Sequence, residues 1–197
     1  MGKLVVLMGK SASGKDTIYN ILKADESLKL QQIVPYTTRP QRDGEVEGQT
    51  YHFVSEEEFG HLLDAGRVIE HRAYNTVHGL WRYFTAEDDA FDLEHNNYLL
   101  IGTLEAYVSI VEHFGEDKVI PVMVTLDDGL RLERALEREK EQKHPKYEEM
   151  CRRFLADSAD YAQEKIDAAG ITRIFENHAS EETAAHISAY IKEQLLF

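Results

Sequence analysis

The chain has 197 residues, 43 % of them apolar and 29 % charged, with a formal net charge of −14. That length suits one α/β domain with a substantial core. The acidity argues against nucleic acid or an anionic membrane as partner, so an anionic substrate would need local Arg and Lys clusters. A single cysteine, Cys151, excludes a disulfide framework and fits a reducing cytoplasm; the apolar run Leu4–Met8 is too short for a signal peptide or a membrane span.

Leu4–Met8 predicts a first strand, and Asp16 to about Ala24 its helix. Between them lies Gly9-Lys10-Ser11-Ala12-Ser13-Gly14-Lys15-Asp16-Thr17, which has the layout of a P-loop. Gly9 and Gly14 let the backbone curl so that successive N–H groups face one concavity, and the helix start adds its unsatisfied N–H groups and positive dipole end. Lys15 supplies a full charge for the β and γ phosphates. A Ser or Thr hydroxyl for Mg²⁺ is expected after the lysine. Here Asp16 stands there, with Thr17 next. Asp16 either ligates the metal, directly or through water, or simply suits a helix N-terminus.

Gln32–Pro35 is a second apolar segment, and the polar, basic stretch from Tyr36 to Gly44 predicts a loop. Arg39 and Arg42 flank Pro40 there and either grip a phosphate or are solvated; Tyr51 could add a hydroxyl. Tyr51–Val54 predicts a short strand. Ser55 with Glu58 forms a capping box for a helix that carries Phe59, Leu62 and Leu63 and stops at Gly66. Val68–Glu70 and Trp81–Phe84 predict further short strands, with Glu70 either a solvated carboxylate or an acceptor for a guanine edge.

The βα rhythm then resumes with a buried strand at Tyr98–Ile101, a helix at Leu104–Phe114 and a strand within Lys118–Leu126. A charged helix follows, from Asp127 to about Gln142. Pro145 breaks it, and another helix runs to about Ala168. A strand at Ile171–Phe175 and an amphipathic helix around Ala184, Ile187, Ile191 and Leu195 close the chain. Strands alternating with helices predict a parallel sheet covered on both faces. Arg131, Arg134 and Arg138 share a helix face, with Arg152 and Arg153 on the next helix. They are either salt-bridged to the interleaved glutamates or gathered around a moving phosphoryl group. No His-Glu-x-x-His and no Cys/His cluster is present, so no structural zinc is expected.

The run Thr37-Thr38-Arg39-Pro40-Gln41-Arg42-Asp43-Gly44-Glu45-Val46-Glu47-Gly48-Gln49-Thr50-Tyr51-His52-Phe53-Val54-Ser55 closely resembles the guanylate kinase signature, and with the P-loop, the Glu70 strand and the arginine helices the likeness spans nearly the whole chain. The resemblance implies an α/β P-loop core (1–35 and 91–197), a small α+β insertion for a nucleoside monophosphate (about 36–90) and a lid (about 138–152). It implies phosphoryl transfer from ATP to GMP with Mg²⁺ in a cytoplasmic monomer or homodimer. By position, Arg39, Arg42 and Tyr51 match the residues that hold the GMP phosphate, and Glu70 the carboxylate that reads guanine. Arg134 or Arg138, with Arg153, match lid arginines, and Asn177 a residue near the adenine. The base side departs from the pattern: Pro35 replaces a Ser, His78-Gly79-Leu80 replaces Tyr-Gly-Ser/Thr, and Thr103 stands where an Asp helps bind guanine and Mg²⁺. Base choice is thus less firmly implied than reaction type. Two rivals remain: a kinase for another acceptor such as a deoxynucleotide, since Ser13-Gly14-Lys15-Asp16-Thr17 is similar to the loop of some phage deoxynucleotide kinases, and a non-catalytic guanylate-kinase-like module, against which the intact P-loop argues. A GTPase is disfavoured because Asp167-Ala168-Ala169-Gly170 comes late and no Asn-Lys-x-Asp follows.

Overall fold

The structure, a computed structural model, describes residues 1–42, 44–76, 79–87 and 91–196. Its core is a five-stranded parallel sheet in the order β2-β7-β1-β8-β9, formed by β1 (Leu4–Met8), β2 (Leu30–Gln32), β7 (Asn97–Ile101), β8 (Val119–Thr125) and β9 (Ile174–Glu176). All five residues of β1 are fully buried, as a central strand covered on both faces requires. Strand alternation divides them between two cores. Leu4, Val6 and Met8 pack with Leu100, Leu104, Ile110 and Ile166; Val5 and Leu7 pack with Ile18, Leu22, Val122 and Ile187. Each such side chain contributes about 1.5–3 kcal/mol relative to exposure. The covering helices are α1 (Lys15–Ala24) and α7 (Ser180–Leu195) on one face and α3 (Leu104–Phe114) and α6 (Gln163–Ala168) on the other. α4 (Asp128–Lys140) and α5 (Tyr147–Asp160) lie against each other.

A second sheet, β4-β3-β6-β5, forms the insertion, from β3 (Tyr36–Thr37), β4 (His52–Phe53), β5 (Val68–Thr76) and β6 (Gly79–Ala86). α2 (Glu56–Asp64) covers one of its faces: Phe59 meets Phe84 with ring centroids 4.9 Å apart and His71 at 5.5 Å. The capping box is present, with Ser55 Oγ accepting from Glu58 N at 3.1 Å and Glu58 Oε2 from Ser55 N at 2.7 Å. Ser55→Ala is therefore expected to lower stability by about 1 kcal/mol, seen as a lower urea midpoint at unchanged slope. An unchanged midpoint would mean that Phe59 packing alone holds the helix.

Four elements differ from expectation. Tyr36 and Thr37 form a strand rather than a loop, pairing with both β4 and β6. The two short strands after α2 are one long hairpin of 9 and 8 residues, whose far end is exposed and so carries no burial pattern. The helix expected to run to Ala168 breaks at Tyr161, whose backbone leaves the helical region and whose hydroxyl accepts from Gly9 N of the P-loop. The final strand starts at Ile174, since Gly170, at φ 69°, turns the chain first and leaves Ile171 to fill the core.

Candidate active site

The P-loop leaves the carboxyl end of β1, where an open α/β sheet offers its crevice. A side chain at Gly9 would lie 2.3 Å from the Val124 carbonyl oxygen; at Gly14, which has φ 87°, it would lie 2.2 Å from Asn177 Nδ2. Only glycine fits either place. Ala12 also sits at positive φ, 61°, a strain of about 1–3 kcal/mol of the sort held in binding loops. The Ser13 hydroxyl is fully buried and has no hydrogen-bond partner among the described residues. A buried orphan hydroxyl costs about 1–3 kcal/mol, which a phosphate oxygen would recover.

Neighbouring elements hold the loop rigid. Arg131, fully buried on α4, donates from Nε to the Ser11 carbonyl at 3.0 Å and from Nη2 to Asp157 at 3.1 Å, and it also pairs with Asp128. Its guanidinium lies over the Phe154 ring at 4.8 Å. Asp157 accepts from Ser11 N at 2.7 Å, and the Tyr161 hydroxyl accepts from Gly9 N at 3.2 Å. Burial pushes the Tyr161 phenol up to about 12, so it remains neutral at physiological pH. Asn177 donates to the Ser13 carbonyl at 2.7 Å and is fully buried, which makes it a buttress of the loop rather than a surface open to a base.

Lys15 begins α1 and its ammonium lies 3.8 Å from the Asp16 carboxylate, which is 73 % exposed. Thr17 is turned to the groove between α1 and α7, with Asn20, Ile21, Ala184 and Ser188. Of the two candidate metal ligands, only Asp16 remains beside the lysine. No group of three or more His, Cys, Asp or Glu that could hold a metal occurs among the described residues. One exposed carboxylate still suits Mg²⁺, which keeps waters and takes further oxygens from substrate phosphates.

Arg134 is exposed, and its Nη1 would lie 3.6 Å from a side chain at Gly14, so it stands at the rim of the loop. Arg138 is exposed further along α4. Arg153 is drawn to Glu149 at 3.6 Å, and Arg152 pairs with the same carboxylate at 2.7 Å. Lys10 lies 3.5 Å from Asp128.

On the insertion, Arg39 is buried and uses four of its five N–H groups: one on the Tyr83 hydroxyl at 3.1 Å, one on the Pro40 carbonyl at 2.9 Å and two on Glu45. Its hydrogen bonds hold the Glu45 carboxyl below the usual range. Arg39 thus folds the loop over 38–45, with one N–H left without a partner among the described residues. The Arg42 guanidinium has no hydrogen bond or ion pair among the described residues, although its backbone N–H donates to Glu45 at 2.8 Å. Tyr51 packs under Arg39, 5.1 Å from guanidinium to ring, and burial raises its phenol, which keeps it a proton donor. His78 lies outside the described residues. Thr103 caps α3 by accepting from Ala106 N at 3.2 Å. Sequence reasoning missed Glu45, Asp157 and Tyr161 as partners of the loops. Arg131 was visible only as one of a helical row, and α-helical spacing could not show that it lies one turn nearer the P-loop.

The parallel sheet covered on both faces, with a glycine-bounded loop running from β1 into α1, defines an α/β P-loop protein. Residues 1–80 match the family model described as Guanylate kinase. A guanylate kinase of Enterococcus faecalis is 41 % identical over 73 residues, covering 37 % of this chain and 36 % of the relative. One from Mycoplasma mobile is 42 % identical over 79 residues, covering 40 % and 39 %. The chain thus matches well under two thirds of the length of these relatives. Over its whole length the fold follows a solved structure, guanylate kinase from Anaplasma phagocytophilum, with a TM-score of 0.70 at 21 % identity, covering 87 % of that chain. Thr103, Arg134, Arg138, Arg153 and Asn177 all lie beyond the stretch that the family model matches.

Proposed function

We propose that this protein transfers a phosphoryl group from ATP to a nucleoside monophosphate, with GMP as acceptor: GMP + ATP to GDP + ADP. The observation that supports it best is the glycine-bounded loop, Gly9 to Lys15, whose buried Ser13 hydroxyl has no partner among the described residues and suits a phosphate oxygen. The likeness of residues 1–80 to guanylate kinases supports the acceptor.

In this reading the loop N–H groups and the α1 start bind the ATP phosphates, and Lys15 follows the charge that grows on the transferred group. Arg134, at the loop rim, faces the same oxygens, while Arg138 and Arg153 would join as a lid of about 138–152, the end of α4 and the first part of α5 with the turn between them, closes. Arg42 and Tyr51, on a loop braced by Arg39 and Glu45, hold the acceptor phosphate in line. Mg²⁺, held by Asp16 and the nucleotide, would supply charge neutralisation on the β and γ oxygens. ATP supply places this activity in the cytoplasm; no helix among the described residues is long and apolar enough to cross a membrane.

ADP release with ATP and Mg²⁺, measured with each of a panel of monophosphates, tests the reading. GMP should stimulate it and a nucleoside without phosphate should not. Release that ignores the monophosphate would reduce the protein to an ATPase.

A further inference from the structure

The insertion carries a further guanidinium, that of Arg72, which the proposed phosphate contacts do not use. β5 and β6 pair in antiparallel register with an irregularity between Val68 and Glu70, so that Glu70 falls opposite Thr85 and Arg72 opposite Tyr83. Such a bulge re-aims the side chains that follow it. Glu70 and Arg72, two residues apart on a strand, then share one face, and it is the face of Tyr83, whose hydroxyl meets Arg39. Glu70 is buried, with a side chain 3 % exposed. Its Oε1 accepts from the Thr85 hydroxyl at 2.8 Å and from Arg72 Nη2 at 3.4 Å; its Oε2 accepts from Arg72 Nε at 3.2 Å. Arg72 Nη1 donates to Thr103 Oγ1 at 3.1 Å, which ties the insertion to the start of α3.

Guanine would offer Glu70 two parallel donors, N1–H and the 2-amino group. Arg72 already offers two parallel donors, Nε–H and Nη2–H, to the same two oxygens. The guanidinium occupies the edge that a guanine would use, and displacing it would leave a cation behind in a nearly closed site, with a side chain only 16 % exposed. Three of the five Arg72 N–H groups are used by Glu70 and Thr103, which leaves two donors, one on each terminal nitrogen, without a partner among the described residues. Arg72 thus bridges the second sheet, where it stands opposite Tyr83 and so near Arg39, and the start of α3 at Thr103.

We propose that Arg72, rather than Glu70, is the base-reading group, and that it selects an oxo group on the acceptor base without sensing the 2-amino group. This rests on the monophosphate kinase reading above. Glu70 and Thr103 position Arg72. Its two remaining donors suit O6 of guanine or hypoxanthine and oppose the 6-amino group of adenine, a donor meeting donors.

The test is kcat/KM for GMP, IMP and AMP, with calorimetric Kd for the same three, on the wild type, Arg72→Ala and Glu70→Gln. For the wild type, GMP and IMP should agree within about threefold and both should exceed AMP by about 100-fold, the scale of mismatched buried donors. Arg72→Ala removes the guanidinium from both Glu70 oxygens, leaving Oε1 with the Thr85 hydroxyl and room to accept again, so the GMP to IMP ratio should rise at least about tenfold, roughly one hydrogen bond to a charged group. Glu70→Gln should leave that ratio unchanged. A wild-type ratio above about tenfold that collapses in Glu70→Gln, or an unaltered ratio in Arg72→Ala, overturns the proposal. Should Arg72→Ala not fold, Arg72→Lys breaks the parallel fork while keeping the charge and must still raise the ratio. Transfer to none of the three would sink the kinase reading, and the Kd ratios would still decide whether Arg72 or Glu70 reads the base.

Discussion

Lys15→Met is expected to lower turnover with ATP and GMP by roughly two to three orders of magnitude while leaving the fold intact. The magnitude is that of one preorganised charge aimed at the transition state, about 3–4 kcal/mol. The fold should survive because the lysine supports little: among the described residues its ammonium pairs only with the exposed Asp16, at 3.8 Å, a pair worth about 0–1 kcal/mol. Methionine keeps the length of the stem. Steady-state rates and a thermal melt on the same preparation check both halves. Near-normal turnover in a folded variant would remove the P-loop from the chemistry.

Arg131→Met should do the opposite and act first on stability. Arg131 is wholly buried, fixes the Ser11 carbonyl, pairs with Asp128 and Asp157, and stacks on Phe154. Removing it leaves the Asp157 carboxylate, which is 17 % exposed on its side chain, without its counter-charge and with the Ser11 N–H as its remaining partner among the described residues. Breaking a buried pair on one side costs about 3–5 kcal/mol, which in a chain of this size lowers Tm by about 6–20 °C. ATP should restore part of the loss, since the phosphates bind the loop that Arg131 shapes. A melt with and without ATP gives both numbers. An unshifted Tm would make Arg131 a solvated residue and the α4–P-loop contact dispensable.

These two residues show what the sequence could and could not yield. The place of Lys15 was legible because it follows from local pattern: strand, glycines, lysine and helix lie within a few residues of one another. Arg131 belongs to a helical row with Arg134 and Arg138. Which member goes under the loop depends on how α4 docks, and spacing along a helix carries no information about that. The same holds for Tyr161, whose hydroxyl reaches Gly9 from the far end of the chain. The parallel sheet was readable from apolar strands that alternate with amphipathic helices. The long hairpin was not, because its exposed half has no buried face to leave a pattern. Glu70 was visible as a carboxylate at a strand end, but the irregularity that sets it opposite Thr85, with Arg72 folded back on it, is a property of the pairing between strands. Arg39 stood out as one of two arginines on a basic, turn-rich loop, but its commitment to Glu45 depends on how that loop closes and left no mark in the sequence.

The central claim is transfer of the terminal phosphoryl group from ATP to a monophosphate, and following that group tests it most directly. The protein is incubated with Mg²⁺, GMP and ATP labelled in the γ-phosphate, and the products are separated. The account predicts label in the β-phosphate of GDP, absent without GMP and reduced by roughly two to three orders of magnitude in Lys15→Met. Label found only in inorganic phosphate, or retained in ATP whatever monophosphate is supplied, would contradict it.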